Sequence, residues 1–270
     1  MLRLLRIEYQ KLRPSRSFKV LASMYFIAVF IAGVGVMPFL RYLKSRIEEF
    51  DIDGIDPTII PFYEFPDIWQ NLTIVAIWGK ALLGFSLIYS ITNEYSYRTI
   101  RQNVIDGLSK QEFVMSKIVM AGFLSLASAL FVFLIGLVTG LIYSTDISIG
   151  AILDGSYFIL VFALQMFTFL VFTLFVGALI KKSIIAMGVL IFWVFAIENI
   201  IWGRMQYLKN EWVDYILPVK AINQLNHIPF WKYALQEVQD FITLPELAAV
   251  LFYLGLFYWA TTRLISRRDL

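Results

Sequence analysis

Six apolar runs, each long enough to cross a lipid bilayer, constrain this chain more than any other feature of its sequence. A transmembrane helix needs about 20 predominantly apolar residues, because each residue adds about 1.5 Å and the hydrocarbon core is about 30 Å thick. We therefore predict an all-α membrane protein that forms a single domain over residues 1–270. Its six transmembrane helices are predicted at residues 18–40, 72–91, 118–143, 156–180, 183–202 and 245–265.

The composition agrees with a chain that lies mostly in lipid. Of its 270 residues, 59% are hydrophobic and 16% are charged, whereas a soluble domain averages about 25% charged residues. The mean hydropathy is +0.72. The sequence has no cysteine and one histidine, His227, which excludes disulfides, thiol catalysis and a histidine cluster. We expect no catalytic residue, no metal site and no nucleic-acid partner.

The distribution of Lys and Arg predicts the orientation. With six spans both termini lie on one side, and that side, which also holds the loops after the second and fourth spans, carries fifteen Lys and Arg against seven on the other. Basic residues concentrate in cytoplasmic segments. We therefore place both termini in the cytoplasm, and expect the acidic, proline-containing loop from Arg41 to Trp69 to be solvated outside.

The two ends of the predicted bundle carry additional short helices. Residues 1–16 are predicted to form an amphipathic helix in the plane of the membrane, with basic residues on the anionic cytoplasmic leaflet. A signal peptide is the alternative, but the apolar run that follows is too long and lacks a cleavage site. Residues 203–243 mix aromatic and charged residues and predict short re-entrant or amphipathic helices at the outer face. The N-terminal helix is predicted to place Leu2, Leu5, Tyr9 and Leu12 on one face and Arg3, Arg6, Gln10 and Arg13 elsewhere.

The polar stretch at residues 92–117, between the second and third spans, predicts a cytoplasmic helical hairpin. Gly107 is expected to end the first helix, because glycine tolerates the left-handed conformation after a helix C-terminus. Ser109 and Glu112 have the spacing of a capping box that begins the second helix. An apolar stripe at helical spacing is predicted from Ile100, Val104, Ile105 and Leu108.

This hairpin resembles the coupling-helix region of ABC-2 type permeases, the membrane subunits of ATP-binding cassette exporters. The resemblance is carried by an acidic residue, an arginine, the run Gly107-Leu108-Ser109-Lys110, an aromatic residue and Lys117. The in-plane N-terminal helix and the short outer helices are similar to that family as well. The resemblance implies an ATPase-docking surface made by Glu94, Arg98, Arg101, Asp106, Gly107, Leu108, Ser109, Lys110 and Phe113.

The resemblance also implies partners. The chain has no G-x-x-x-x-G-K-[ST] motif, so ATP and Mg²⁺ are expected in separate cytoplasmic ATPase subunits. Six spans correspond to half a transporter, which implies a second, identical or related permease chain. The resemblance implies export by alternating access across a bacterial cytoplasmic membrane, and spans rich in Phe, Leu and Ile suit an amphiphilic substrate. A non-transporting membrane scaffold or assembly factor driven by an ATPase is the alternative.

Ionisable and amide side chains inside spans are hypotheses for the substrate path, because they are costly in lipid. Lys80 and Glu198 are predicted at similar depth in the outer half, where they either pair or jointly face an outer cavity. The alternative is that Lys80 reaches the headgroups and Glu198 lies at the interface. Asn199 adjoins Glu198, and Gln165 is a further candidate for which an interhelical hydrogen bond is the competing role. The same groups do not form the convergent set that an intramembrane enzyme would need.

Overall fold

A computed structural model describes residues 1–49, 61–97, 99–105, 107–208, 212–227 and 241–267. Within these ranges the regular structure is entirely helical. Five helices are long and apolar enough to cross a membrane, and a sixth span results if one bent pair is counted as a unit. The prediction of an all-α protein with multiple membrane-spanning helices is therefore confirmed.

The elements follow the order of the chain with short connections. The first half contains α1 (Leu2–Leu12), α2 (Arg16–Glu49), α3 (Ile68–Trp78), α4 (Lys80–Ser96), α5 (Thr99–Ile105) and α6 (Lys110–Tyr143). The second half contains α7 (Ile149–Leu153), α8 (Tyr157–Ile180), α9 (Ser183–Phe192), a π-helical turn (Trp193–Ile197), α10 (Glu198–Tyr207), α11 (Val213–Ile216), α12 (Pro218–Gln224) and α13 (Leu244–Ser266).

The first span extends further than the sequence predicts. α2 continues to Glu49, although the span was predicted to end at residue 40 and to be followed by a loop. The polar residues after Leu40 include no glycine or proline, so nothing stops the helix, and the Arg46 guanidinium pairs with Glu49 one turn away at 2.6 Å. Part of the predicted acidic loop is thus helical, and residues 50–60 lie outside the described residues.

The second span is broken at Gly79. The axes of α3 and α4 differ by 45°, and the Gly79 amide donates to the carbonyl of Ala76 at 3.2 Å in a tighter turn than the α-helical one. A Cβ atom at this position would lie 3.1 Å from the Tyr25 ring. Glycine therefore allows α2 to pack against the bend.

The core of the bundle is built around α8, which packs against α4, α6 and α13. In the most apolar 18-residue stretch of residues 149–180, which include α8, 72% of the residues are buried. In the corresponding stretches of α2 and of residues 183–207, 17% are buried. Their exposed side chains are large and apolar, as a lipid-facing or chain-facing surface requires. One end of the bundle holds α1, α5 and the C-terminus of α13, and we call it the hairpin end. The opposite end holds α7, α11 and α12.

Candidate functional site

The turn of the hairpin has the geometry that the sequence predicts. Gly107 has a φ of 97°, in the left-handed region that favours glycine, and the Leu108 amide donates to the carbonyl of Asn103 at 2.9 Å. The Ser109 hydroxyl accepts from the Glu112 amide at 3.1 Å, and the Glu112 carboxylate accepts from the Ser109 amide at 2.9 Å. The predicted C-terminal glycine and capping box are both confirmed.

The predicted apolar stripe is wrong at Ile105. Ile100 is 2% exposed, but Ile105 is 76% exposed. Ile105 is five residues after Ile100, which places it about 140° away around the helix. Leu108 does not extend the stripe either, because α5 ends at Ile105. The side chain of Val104 lies outside the described residues. An exposed isoleucine beside the turn leaves an apolar surface at the tip of the hairpin.

The remaining predicted docking residues have different surroundings. Ser109 is exposed and Leu108 is partly so, whereas Phe113 is 1% exposed. The Lys110 ammonium donates to the carbonyl of Ser266 at 3.2 Å, which braces the hairpin against the end of α13. Arg98 and Asp106 lie outside the described residues, as does the side chain of Arg101.

A buried ion cluster lies directly behind the hairpin and is centred on Lys117, which is 2% exposed. Its ammonium donates to the carboxylates of Glu8 and Glu94, the latter at 2.6 Å, and to the Ser90 hydroxyl at 2.8 Å. These partners come from α1 and α4, while Lys117 itself belongs to α6. One side chain therefore joins three helices at the hairpin end.

The cluster is completed by a second lysine and by polar neighbours. The Lys11 ammonium lies 3.4 Å from Glu94, and the Asn103 side chain of α5 donates to Glu94 at 2.8 Å. Glu8 is fully buried and also accepts from the Ser90 hydroxyl at 3.1 Å. Two carboxylates thus face two ammonium groups, so the formal charge of the cluster is zero.

This charge balance explains how the cluster tolerates burial. An unpaired buried charge is strongly destabilising, whereas a balanced and hydrogen-bonded group is tolerated. The Glu94 carboxylate is used within the chain and is 7% exposed. Glu94 was predicted to contact the edge of an ATPase, but in this structure it is too buried to do so.

The role of Glu8 was not predicted from the sequence. Leu2 and Tyr9, which were placed on the apolar face of an in-plane helix, are 83% and 50% exposed, while Leu12 is 4% exposed. The face of α1 that packs against the rest of the protein contains Glu8, four residues before Leu12. A glutamate on the same helical face as leucine was the available signal.

At the opposite end, Glu198 caps the buried helix α12. Its carboxylate accepts from the backbone amides of Val219 at 3.0 Å and Lys220 at 2.9 Å, and from the Trp193 indole at 2.6 Å. The first amides of a helix have no partner within the helix, and a buried amide without a partner is costly. Glu198 is 1% exposed and supplies the missing acceptor.

Gln165 and Lys80 hold the other end of α12. The Gln165 amide donates to the carbonyl of Ile222 at 2.8 Å, in agreement with an interhelical hydrogen bond. The Lys80 ammonium donates to the side chain of Asn223 at 2.5 Å and lies 4.7 Å from the centre of the Phe169 ring. Lys80 and Glu198 are not in direct ion-pair contact, although their charges interact, and they bind opposite ends of one helix.

Asn199 serves the irregular backbone that precedes it. Its side-chain amide donates to the carbonyls of Val194 at 3.2 Å and Phe195 at 2.9 Å, within the π-helical turn. Its oxygen accepts from the Lys220 ammonium at 2.8 Å. Asn199 thereby binds two carbonyls of the π-helical turn and links α10 to α12.

The arrangement defines a multi-pass membrane protein with a capped helical hairpin at one end and a short buried helix held at the other. A family model described as ABC-2 family transporter protein matches residues 4–198, which include α1, the hairpin and Glu198. The chain belongs to this family, whose members are membrane subunits of ABC transporters and not ATPases themselves. A comparison with curated proteins found no match.

Proposed function

We propose that this chain is the permease subunit of an ABC exporter and that a separate cytoplasmic ATPase binds its hairpin. The observation that carries the proposal is the hairpin turn, which is exposed at Ile105, Gly107 and Ser109 and joins the short helix α5 to the long apolar helix α6. A rigid turn with an apolar tip suits a groove on a soluble protein. The hairpin end is then cytoplasmic, and the protein lies in a bacterial cytoplasmic membrane.

The proposed mechanism is alternating access in a pair of permease chains. ATP and Mg²⁺ bind in the ATPase subunits, whose closure displaces the hairpin. Because α5 is linked to α4 through Asn103 and Glu94, and α6 begins at the capping box, both spans receive the displacement. Arg98, Arg101 and Asp106 complete the proposed docking surface, while Glu94 is assigned to the internal cluster.

At the outer end, we assign α12 as the element that opens to release substrate. Four polar side chains reach it from the surrounding helices, namely Glu198, Asn199, Gln165 and Lys80. Their hydrogen bonds can exchange for bonds to water when the outer face opens, so α12 can leave its site without unfolding. The apolar spans suit an amphiphilic substrate.

The test is co-purification of candidate ATPase subunits with variants of Gly107. Replacement by Asn should retain binding because Asn tolerates a left-handed φ, replacement by Ala should weaken it, and replacement by Pro should abolish it because proline fixes φ near −65°. A Cβ atom at this position meets nothing within 4 Å, so the series varies backbone conformation alone.

A matched control is Gly150, which also has open space around it but a negative φ and lies at the opposite end. Gly150→Ala should leave ATPase binding unchanged. Loss of binding that follows the order Pro, Ala, Asn at position 107 supports the docking assignment. If no candidate ATPase binds the wild-type chain under any nucleotide condition, the non-transporting scaffold becomes the better interpretation.

A further inference from the structure

The helix α1 has two chemically different faces. The inner face carries Glu8, which enters the buried ion cluster, and Leu12, which packs in the core. The outer face carries three exposed arginines together with an exposed leucine and tyrosine. The residues of this outer face are Leu2, Arg3, Arg6, Tyr9, Gln10 and Arg13.

We propose that the outer face of α1 binds anionic phospholipid headgroups and that the ion cluster transmits this binding to the hairpin. A helix with basic residues beside large apolar ones fits the boundary between headgroups and acyl chains. α1 also leads into the first span within four residues, since α1 ends at Leu12 and α2 begins at Arg16. This short connection keeps α1 near the bilayer surface.

Two links connect α1 to Glu94, and Glu94 is in turn bound to the hairpin. Glu8 of α1 is bound to Lys117, which is bound to Glu94, and Lys11 of α1 contacts Glu94 directly. Asn103 of α5 then binds the other oxygen of Glu94. Since every member is hydrogen-bonded and Glu8, Lys117 and Glu94 are at most 7% exposed, α1 cannot shift without disturbing Glu94 and therefore α5.

The consequence is that anionic lipid fixes the hairpin in one position relative to the bundle. That this position favours productive ATPase binding rests on the proposed function, but the conformational link does not. The experiment below contains no ATPase. Its failure would therefore overturn the lipid-sensing role and leave the docking assignment untouched.

The test uses the lack of native cysteine in the chain. Gln10→Cys reports on α1 and Gln102→Cys reports on α5, and both positions are exposed. Each full-length variant carries a nitroxide label and is placed in nanodiscs of phosphatidylcholine alone or mixed with phosphatidylglycerol. The measurements are label mobility and accessibility to a water-soluble paramagnetic relaxant.

In phosphatidylglycerol discs, the label at position 10 should lose accessibility several-fold and the label at position 102 should lose mobility. Both shifts should vanish at 1 M salt, where the Debye length is about 3 Å. Each arginine is expected to contribute roughly a fivefold gain in lipid affinity. Replacement of Arg3, Arg6 and Arg13 by Gln should therefore abolish both shifts without touching the core.

The decisive variant is Asn103→Ala, which removes the bond between Glu94 and α5 and leaves both carboxylates of the cluster paired with Lys117 and Lys11. It should retain the lipid response at position 10 and lose the response at position 102. A response that persists at position 102, or a label at position 10 that ignores the lipid, overturns the proposal.

Discussion

Glu8 and Lys117 are 109 positions apart in the sequence, yet their charged groups form a fully buried ion pair. Lys11 lies one turn after Glu8 on α1, but its ammonium contacts Glu94 of α4. Glu8 and Lys117 each depend on a helix that folds elsewhere, so the N-terminal helix and the third predicted span stabilise one another only in the folded chain.

The first prediction concerns the charge balance of this cluster. Lys117→Met should lower the free energy of unfolding by about 3–5 kcal/mol, because two buried carboxylates are left with one half-buried lysine. Glu8→Gln together with Lys117→Met restores a balanced pair of Glu94 and Lys11, so the double variant should be more stable than Lys117→Met alone. Denaturant unfolding in lipid or detergent micelles measures this order.

The test is whether the two substitutions have coupled effects on the free energy of unfolding. Adding Glu8→Gln to Lys117→Met should recover stability, which is a strongly non-additive result for residues in direct contact. If the two substitutions simply add, the charges do not compensate one another and the cluster is held by packing alone.

The second prediction concerns the caps of α12. Glu198→Ala removes the acceptor for the Val219 and Lys220 amides, and each unsatisfied buried donor costs about 1–3 kcal/mol. Hydrogen exchange in residues 213–227 should rise by more than tenfold. Glu198→Gln retains one acceptor oxygen and should give an intermediate rise, while exchange at the hairpin end stays unchanged.

Lys80→Met supplies the companion experiment for the same helix. Because Lys80 and Glu198 bind opposite ends of α12, we expect Lys80→Met and Glu198→Gln to add in their effect on exchange. Recovery of protection in the double variant would instead show that the two side chains form a functional pair.

The third prediction concerns Gly136 and Gly140, two glycines one turn apart on α6. A Cβ atom at Gly140 would lie 2.3 Å from the Phe65 ring, and one at Gly136 would lie 2.9 Å from the Trp69 ring. Alanine at either position should destabilise the fold by about 1–3 kcal/mol through overpacking, with Gly140 the more sensitive. Thermal unfolding checks this, and Gly255→Ala, which meets nothing within 4 Å, should have little effect.

Features of the fold that depend on neighbouring residues could be predicted from the sequence. Apolar runs located the spans, and the spacing of Gly107, Ser109 and Glu112 predicted the turn and its capping box. Span ends were less predictable, since α2 continues to Glu49 through residues that are compatible with both a helix and a loop. The π-helical turn and the break at Gly79 also escaped prediction, because each depends on what packs against it.

The polar clusters were predictable only in part. Lys80 and Glu198 stand out inside apolar runs, but their common partner, α12, is defined only by the folded structure. Glu8 lies in a basic helix, where a lone glutamate is compatible with a solvated position. Its role depends on Lys117, more than a hundred residues later, and no local pattern encodes a pairing at that distance.

The bend at Gly79 divides the second span into two helices that meet at a single residue. The first, α3, carries Thr73, whose hydroxyl accepts a hydrogen bond from Asn226 at 2.7 Å. The second, α4, carries Ser90 and Glu94 of the ion cluster. A small rotation at Gly79 would therefore move both ends of the protein together, and the Tyr25 ring that lies against Gly79 would limit this rotation.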